Sequence, residues 1–316
     1  MILGLSTRWN ASRHTDGEAL VEEILELGLN HIELGYDLSI GLVAGVGRMV
    51  EEKAVVVDSV HAFCPVPLGV PFGHPELFSL ASMDRKTRES AILHTVRTLQ
   101  FAAEMGARTV VLHAGNVKMG HLTQKLSALY LKWKQYTPRY ERVRSKLVMR
   151  REKHAQKQFD HLISSLEEVI PILDETGVSI ALENLPSWES IPTELEMEQI
   201  IERLDSPRVR CWHDIGHGYV RQCLGFVGLA RWLDRLAPHI AGLHVHDVKH
   251  SLADHYLPPT GEVDFLPYKR FADRNIPTIL EPMPRLPADD VKAAIAFLSD
   301  LWQDVEPNNA LEETPA

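Results

Sequence analysis

Acidic and histidine side chains follow a series of short apolar segments along this sequence. Each segment has the length and composition of a buried parallel strand. The residues at the carboxyl-terminal ends are of types that bind divalent metals or transfer protons: His61, His113, Glu183, Asp214, His244, His246 and Glu281. Because parallel strands of a barrel end on one face, we expect these residues to converge there. The pattern therefore predicts a metal site.

The ligand types limit which metals this site would bind. Carboxylates and imidazoles without thiolates suit Mn, Mg, Co or Zn. The carboxylate-rich centre favours Mn or Mg, whereas additional histidines favour Zn or Mn if more ions bind. We therefore expect one to three divalent ions. The alternative for any single strand-end acid is a salt bridge across the barrel mouth.

Histidines surround the strand-end acids. His217 follows Asp214 by three residues, and Gly216 and Gly218 are expected to give this turn the freedom to direct both side chains into the barrel mouth. His213 should point to the opposite side of its strand and act structurally.

Other histidines have two interpretations. His244 and His246 share a strand face, and only one of them need be a direct ligand. His61 and His113 are each either a core histidine bonded to backbone or a ligand. His255, on a loop, is a candidate for substrate contact or a second metal site.

Composition and cysteine content indicate an ordinary globular protein. The chain has 316 residues, of which 45% are hydrophobic and 24% charged, enough for a large core. Three cysteines without paired spacing argue against a disulfide framework and predict a reducing cytoplasm. The first strand candidate, Ile2–Ser6, leaves no room for a signal peptide, and no apolar stretch approaches the roughly 20 residues of a membrane span.

Charge is distributed unevenly along the chain. The net charge of -10 argues against general affinity for nucleic acid. Residues 118–157 nevertheless hold 12 Lys/Arg and two acids, a charge near +10, which leaves about -20 for the rest. Tyrosine and tryptophan are interleaved with these cations. We consider three roles for the segment: a solvated helical hairpin, a subunit contact in a homo-oligomer, or a lid that attracts an anionic substrate.

Strand-like and helix-like segments alternate eight times. The predicted strands are Ile2–Ser6, His31–Leu34, Val55–Val60, Arg108–His113, Val178–Glu183, Val209–Asp214, Ile240–His246 and Pro277–Glu281. The predicted helices are Asp16–Leu27, Leu42–Lys53, Asp84–Met105, Phe159–Glu175, Thr193–Leu204, Phe226–Leu236, Leu266–Ala272 and Ala288–Trp302. Eight units favour an α/β fold, a single (β/α)8 TIM barrel, over an open sheet, and neither GxGxxG nor a P-loop follows a strand.

The predicted organisation is one barrel over residues 1–303 and a polar tail over 304–316. The basic segment 118–157 is predicted to be a helical insertion after strand four. Such an insertion lies on the same face as the candidate ligands.

These motifs resemble the xylose isomerase-like barrel superfamily, which contains sugar isomerases and epimerases together with endonuclease IV-type DNA-repair enzymes. The resemblance covers nearly the whole chain except the basic insertion and the tail. It is carried by the motifs ALEN, HDIGH, HVHDVK, DHYLPPTGEVDF and ILEP. By this resemblance, one metal would be bound by Glu183, Asp214, His244 and Glu281. The family's His-x-x-Asp spacing selects His244, with Asp247, over His246.

The same resemblance leaves the number of metals open. His217 matches a position that contacts substrate in epimerases and binds a further metal in the nuclease. His61 and His113 match histidines of the three-zinc nuclease. Asp254 and His255 are adjacent, whereas the nuclease has one residue between the corresponding pair, so the third metal is in doubt.

The resemblance implies a metal-dependent isomerase or epimerase of a small sugar, keto sugar or sugar phosphate. Glu183 and Glu281 would remove and return a proton while the metal stabilises the enediolate. His217, His61 and His255 would contact the substrate. The alternatives are a multi-zinc hydrolase of abasic DNA, an inosose-type dehydratase, and a non-enzymatic barrel that binds a partner through its insertion.

Overall fold

The computed structural model describes residues 1–274 and 276–303, in which eight parallel strands close into a barrel. The tail predicted over 304–316 lies outside the described residues. The barrel order is β1-β10-β9-β8-β6-β4-β3-β2. The barrel strands are β1 Ile2–Ser6, β2 His31–Leu34, β3 Val56–His61, β4 Thr109–Leu112, β6 Ser179–Glu183, β8 Val209–Asp214, β9 Ile240–Val245 and β10 Pro277–Leu280. Two short strands, β5 Gly115–Asn116 and β7 Ser190–Ile191, form an antiparallel pair beside the barrel mouth.

Helices alternate with the strands, as the sequence predicts. They are α1 Gly17–Leu25, α2 Ile40–Glu51, α3 Arg85–Glu104, α4 Leu122–Tyr130, α5 Pro138–Thr176, α6 Glu194–Leu204, α7 Ile215–Cys223, α8 Leu229–Leu236, α9 Lys269–Ala272 and α10 Ala288–Trp302. The predicted α/β class and (β/α)8 barrel are therefore confirmed. Of the helices that the structure describes, none is both long and apolar enough to cross a membrane.

Side chains from several strands fill the inside of the barrel. Val111, Ala181, Trp212 and Ile279 form a buried cluster there. A Cβ atom on Gly242 of β9 would lie 2.2 Å from the Trp212 ring, so only glycine leaves room for the indole. The larger apolar cluster lies between the strands and the surrounding helices. The barrel is therefore a packed core and its chemistry is confined to the strand ends.

Local sequence sets the limits of the 39-residue α5. Thr137 caps its amino terminus, Pro138 occupies the first turn, and Gly177 ends it in the left-handed conformation at φ 72°. The first part of α5 and all of α4 come from the basic segment, and the second part is the barrel helix after β4. Arg151 holds this hairpin against the barrel through 2.7 Å bonds to Glu196 and to two backbone carbonyls.

The sequence missed one helix and predicted the start of the next one too early. It predicted a turn after Asp214 and a helix over Phe226–Leu236. In the structure α7 begins directly after β8, and α8 begins only at Leu229. The Asp214 carboxylate caps α7 by accepting a 2.7 Å bond from the His217 amide. Two glycines near the start of this nine-residue helix weaken its sequence signal.

Candidate metal and active site

Four strand ends position the central ligand candidates. Glu183 and Asp214 are the last residues of β6 and β8, His244 lies near the end of β9, and Glu281 directly follows β10. Strand pairing places Asp214 opposite His244. All four residues are at most 2% exposed. Barrel closure therefore brings together side chains that are up to 98 positions apart in the sequence.

One nitrogen of His244 lies close to a carboxylate oxygen of each of the other three residues. His244 Nδ1 lies 3.5 Å from Glu183 Oε1, 3.8 Å from Asp214 Oδ2 and 3.4 Å from Glu281 Oε2. Three carboxylates buried this closely repel one another and require positive charge between them. Oxygen and imidazole donors in this arrangement fit a divalent cation.

A second group uses the other oxygen of Glu183. His113 Nε2 and His61 Nε2 lie 3.0 Å and 3.3 Å from Glu183 Oε2. Their donor atoms are close enough for one ion to contact all three residues. Glu183 is therefore placed between two possible metal positions.

A third group consists of three histidines, His217, His246 and His255, whose donor atoms also lie within 4.8 Å of one another. His217 Nδ1 is 3.4 Å from Asp214 Oδ2, and His246 Nε2 is 2.9 Å from the same oxygen. Asp254 Oδ2 approaches His217 Nε2 at 3.7 Å. His246, which the sequence ranked below His244, therefore lies beside the centre as well.

The reason for glycine at position 216 differs from the predicted one. Gly216 lies in the first turn of α7, and a Cβ atom on it would lie 2.1 Å from the His246 ring. Close packing against His246, rather than freedom of a turn, requires this glycine. His213 points away from the metal candidates and stacks on Tyr268, as expected.

Two residues of the site were missed in the sequence. Glu33 of β2 is fully buried and accepts a 3.0 Å bond from His244 Nε2. Arg8, after β1, donates a 2.9 Å bond to Glu281 Oε1 and lies over the Tyr36 ring. An acid between Ile and Leu in a four-residue strand was the available signal for Glu33, whereas Arg8 had none in its local pattern.

The local charges determine the protonation of the centre. Burial opposes ionisation of Glu183, but His113 and His244 outweigh it and hold its pKa well below the usual value. Burial likewise opposes protonation of His217, yet Asp214 and Glu183 raise its pKa to about 9. Burial lowers the pKa of His255 to about 4, and neighbouring His246 adds to the effect. Burial also opposes ionisation of Asp214 and Glu281, but neighbouring histidines outweigh it and lower the pKa of both carboxyls, which favours their ionised forms.

A cavity of about 830 Å³ opens above this centre. Glu183, Glu281 and four of the histidines line it: His61, His113, His217 and His255. Of the basic segment, the described residues that line the cavity are those at its start, 118–121. Lys132, Lys134 and Arg139, which lie further along the segment, do not line it. The cavity thus reaches the proposed proton-transfer groups and leaves Asp214 and His244 behind them.

The family model for the xylose isomerase-like TIM barrel matches residues 21–301. The chain belongs to this family. The resemblance in the sequence motifs is thereby confirmed. A relative from Methanocaldococcus jannaschii, named Uncharacterized protein MJ1614, is 23% identical over 248 residues, which cover 78% of each chain.

Solved structures of the same architecture include sugar epimerases. A D-tagatose 3-epimerase-like protein superposes with a TM-score of 0.68 at 18% identity, covering 95% of this chain and 97% of its own. The 3-keto-D-glucoside 4-epimerase YcjR from E. coli has a TM-score of 0.68 at 17% identity, with 95% and 99% covered. An IOLI protein with a bound zinc atom has a TM-score of 0.63 at 12% identity, with 96% and 98% covered. At these identities the likeness establishes the fold of this family member.

Proposed function

We propose that this family member is a divalent-metal-dependent isomerase or epimerase of a small sugar, keto sugar or sugar phosphate. The observation that carries the proposal is the buried convergence of Glu183, Asp214, His244 and Glu281 beside a polar cavity. The epimerases among the similar structures support the same reaction class.

These four residues would hold the ion. Their carboxylate and imidazole donors suit Mn, Mg, Co or Zn. A bound ion would supply positive charge to neighbouring hydroxyl and carbonyl oxygens of the substrate. The zinc atom in the IOLI structure supports a metal in this fold.

Glu183 and Glu281 are the groups placed to transfer the proton. Both line the cavity, and nearby cationic groups hold the pKa of each below its usual value, so the form that can accept a proton from a carbon next to a carbonyl is favoured. Arg8 occupies one oxygen of Glu281 and fixes that carboxylate in position. His61, His217 and His255 line the same cavity and would hold substrate oxygens.

Replacement of each glutamate by glutamine tests this assignment. We expect Glu183→Gln and Glu281→Gln to abolish turnover while the fold, followed by circular dichroism, is retained. The assay is exchange of carbon-bound hydrogen in deuterated water over a panel of keto sugars with and without phosphate. Glu76→Gln, at the cavity rim, is the control and should remain active. Near-normal exchange in both site variants would refute the assignment.

A second candidate is a multi-metal phosphodiester hydrolase. It is favoured by His61 and His113 on the second oxygen of Glu183 and by the separate histidine group at His217. Such an enzyme would bind three ions per chain and nick abasic duplex DNA. One ion per chain by elemental analysis, with no nicking, would exclude it.

A further inference from the structure

Six basic residues form a single line along the first half of α5, at spacings of three, four, four, three and four residues. They are Arg139, Arg142, Lys146, Arg150, Lys153 and Lys157. The mean spacing of 3.6 residues equals one helical turn, so these side chains lie above one another. Over 18 residues the line extends about 27 Å at 1.5 Å per residue. We call these six residues the basic stripe.

The stripe faces solvent. All six residues are exposed, whereas Tyr140, Leu147 and Ala155 on another face of α5 are buried. In the part of the chain that the structure describes, no ion pair involves a stripe residue. The nearby acid Glu141 is paired with Arg144, away from the stripe. The stripe is therefore a row of uncompensated positive charge.

This arrangement does not stabilise the helix. Like charges four residues apart, such as Arg142 with Lys146 and Lys153 with Lys157, repel each other. The rest of the chain carries about -20, so the positive charge is confined to a narrow surface. A partner that follows this line gains attraction to the cations without approaching the acidic body.

The shape of the stripe favours a strand of nucleic acid over a membrane surface. A helix that binds membranes needs an apolar face directed outward, but the described large aliphatic and aromatic side chains of α5 are buried or half-buried, apart from Met149, which is 68% exposed. A broad anionic surface would also face the negative remainder of the protein. Beside the start of α5, Tyr136 is 95% exposed and Trp133 is 70% exposed. Exposed rings next to a row of cations suit stacked bases and their phosphates.

We propose that the basic stripe binds single-stranded nucleic acid, with the phosphates along the six cations and a base on Tyr136. This inference is independent of the reaction at the barrel mouth, because the stripe residues do not line the described cavity. The net charge of -10 does not oppose this binding, because the average conceals a segregated cationic surface.

Fluorescence anisotropy of labelled 20-nucleotide RNA and DNA strands, titrated with the full chain, tests the proposal. Six phosphate contacts predict an affinity loss of about 300-fold between 50 and 200 mM salt. Lys146→Glu with Lys153→Glu removes two contacts and should weaken binding at least about 25-fold at 0.1 M salt. The matched control, Lys86→Glu with Lys292→Glu, makes the same charge change at exposed sites elsewhere and should bind like the wild type.

The remaining arms separate the possible partners. Tyr136→Ala should weaken binding of the single-stranded oligonucleotides about 5- to 150-fold, because a stacked base loses its ring. Unchanged affinity in this variant overturns the proposal that the stripe binds single strands. Binding to phosphatidylserine vesicles without oligonucleotide binding overturns it in favour of a membrane. Equal weakening in the stripe and control variants, with both melting at the wild-type temperature, shows that the stripe is not the site.

Discussion

Glu33 offers the sharpest test of how this barrel would hold a metal. Its carboxylate is fully buried and accepts bonds from His244 Nε2 at 3.0 and 3.2 Å. These bonds turn His244 Nδ1 toward the other three ligand candidates. We expect Glu33→Gln to lower metal affinity although Glu33 lies outside the central four ligands.

The size of the effect follows from the bonds that change. A buried hydrogen bond to a charged group contributes about 1.5 to 3 kcal/mol, and a neutral one about 0.5 to 1.5 kcal/mol. Glutamine keeps one acceptor oxygen and loses the charge, so the difference is about 1 to 2 kcal/mol, or about 5- to 30-fold in dissociation constant. Ser6 and Ser59 both donate to Glu33, and one of them would lose its acceptor. That loss places the expectation in the upper half of the range.

Competition with a fluorescent chelator measures the dissociation constant for Mn and Zn directly. The matched control is Asp58→Asn, because Asp58 also accepts a bond from a histidine, His31, but away from the ligand cluster. The control should bind metal like the wild type. A Glu33→Gln protein with a dissociation constant within twofold of the wild type would refute the role given to Glu33.

Three further predictions concern stability. Arg151→Met should destabilise the protein by about 3 kcal/mol in denaturant unfolding, because half-buried Glu196 and two backbone carbonyls lose the partner that a buried arginine supplies. The neighbouring Arg150 is exposed, so Arg150→Met should change the stability by less than about 0.5 kcal/mol. Equal effects of the two substitutions would contradict the anchoring role of Arg151. Gly216→Ala should lower the free energy of unfolding by about 1 to 3 kcal/mol, because the added methyl group displaces His246. The control Gly41→Ala places its methyl group in open space on α2 and should be neutral or stabilising. Unchanged stability in Gly216→Ala would show that His246 has room to move. Burial lowers the pKa of His213 to about 4, so the unfolded chain binds the extra proton between pH 6.5 and 4 and stability falls as pH falls through that range. The loss of stability is up to about 3 kcal/mol. His213→Phe keeps an aromatic ring on Tyr268 and should remove this pH dependence, measured as the melting temperature at a series of pH values. An unchanged pH profile in this variant would contradict the role given to His213.

Much of the fold could be predicted because strand and helix periodicity are local properties. The apolar runs ending at Glu183 and Asp214 indicated buried strands, and the helical pattern over Phe159–Glu175 indicated the second part of α5. The start of α7 could not be predicted, because its signal is the cap that Asp214 supplies and two glycines obscure the pattern. The hydrophobic pattern of a segment shows whether it is apolar on one face. It does not show whether a side chain such as Asp214 folds back to accept a bond from the backbone of the following helix.

The sequence by itself determined the ligand types, their places at strand ends and the eightfold alternation that implies a barrel. Only the tertiary structure decided which atoms meet. Barrel closure brings β2 next to the centre and so adds Glu33 behind His244, and it places Arg8 on Glu281 across 273 positions. It also divides the donor atoms of Glu183 between two groups. The physical reason is that spacing along the chain fixes which face a residue occupies, but contact between faces depends on how all eight strands close.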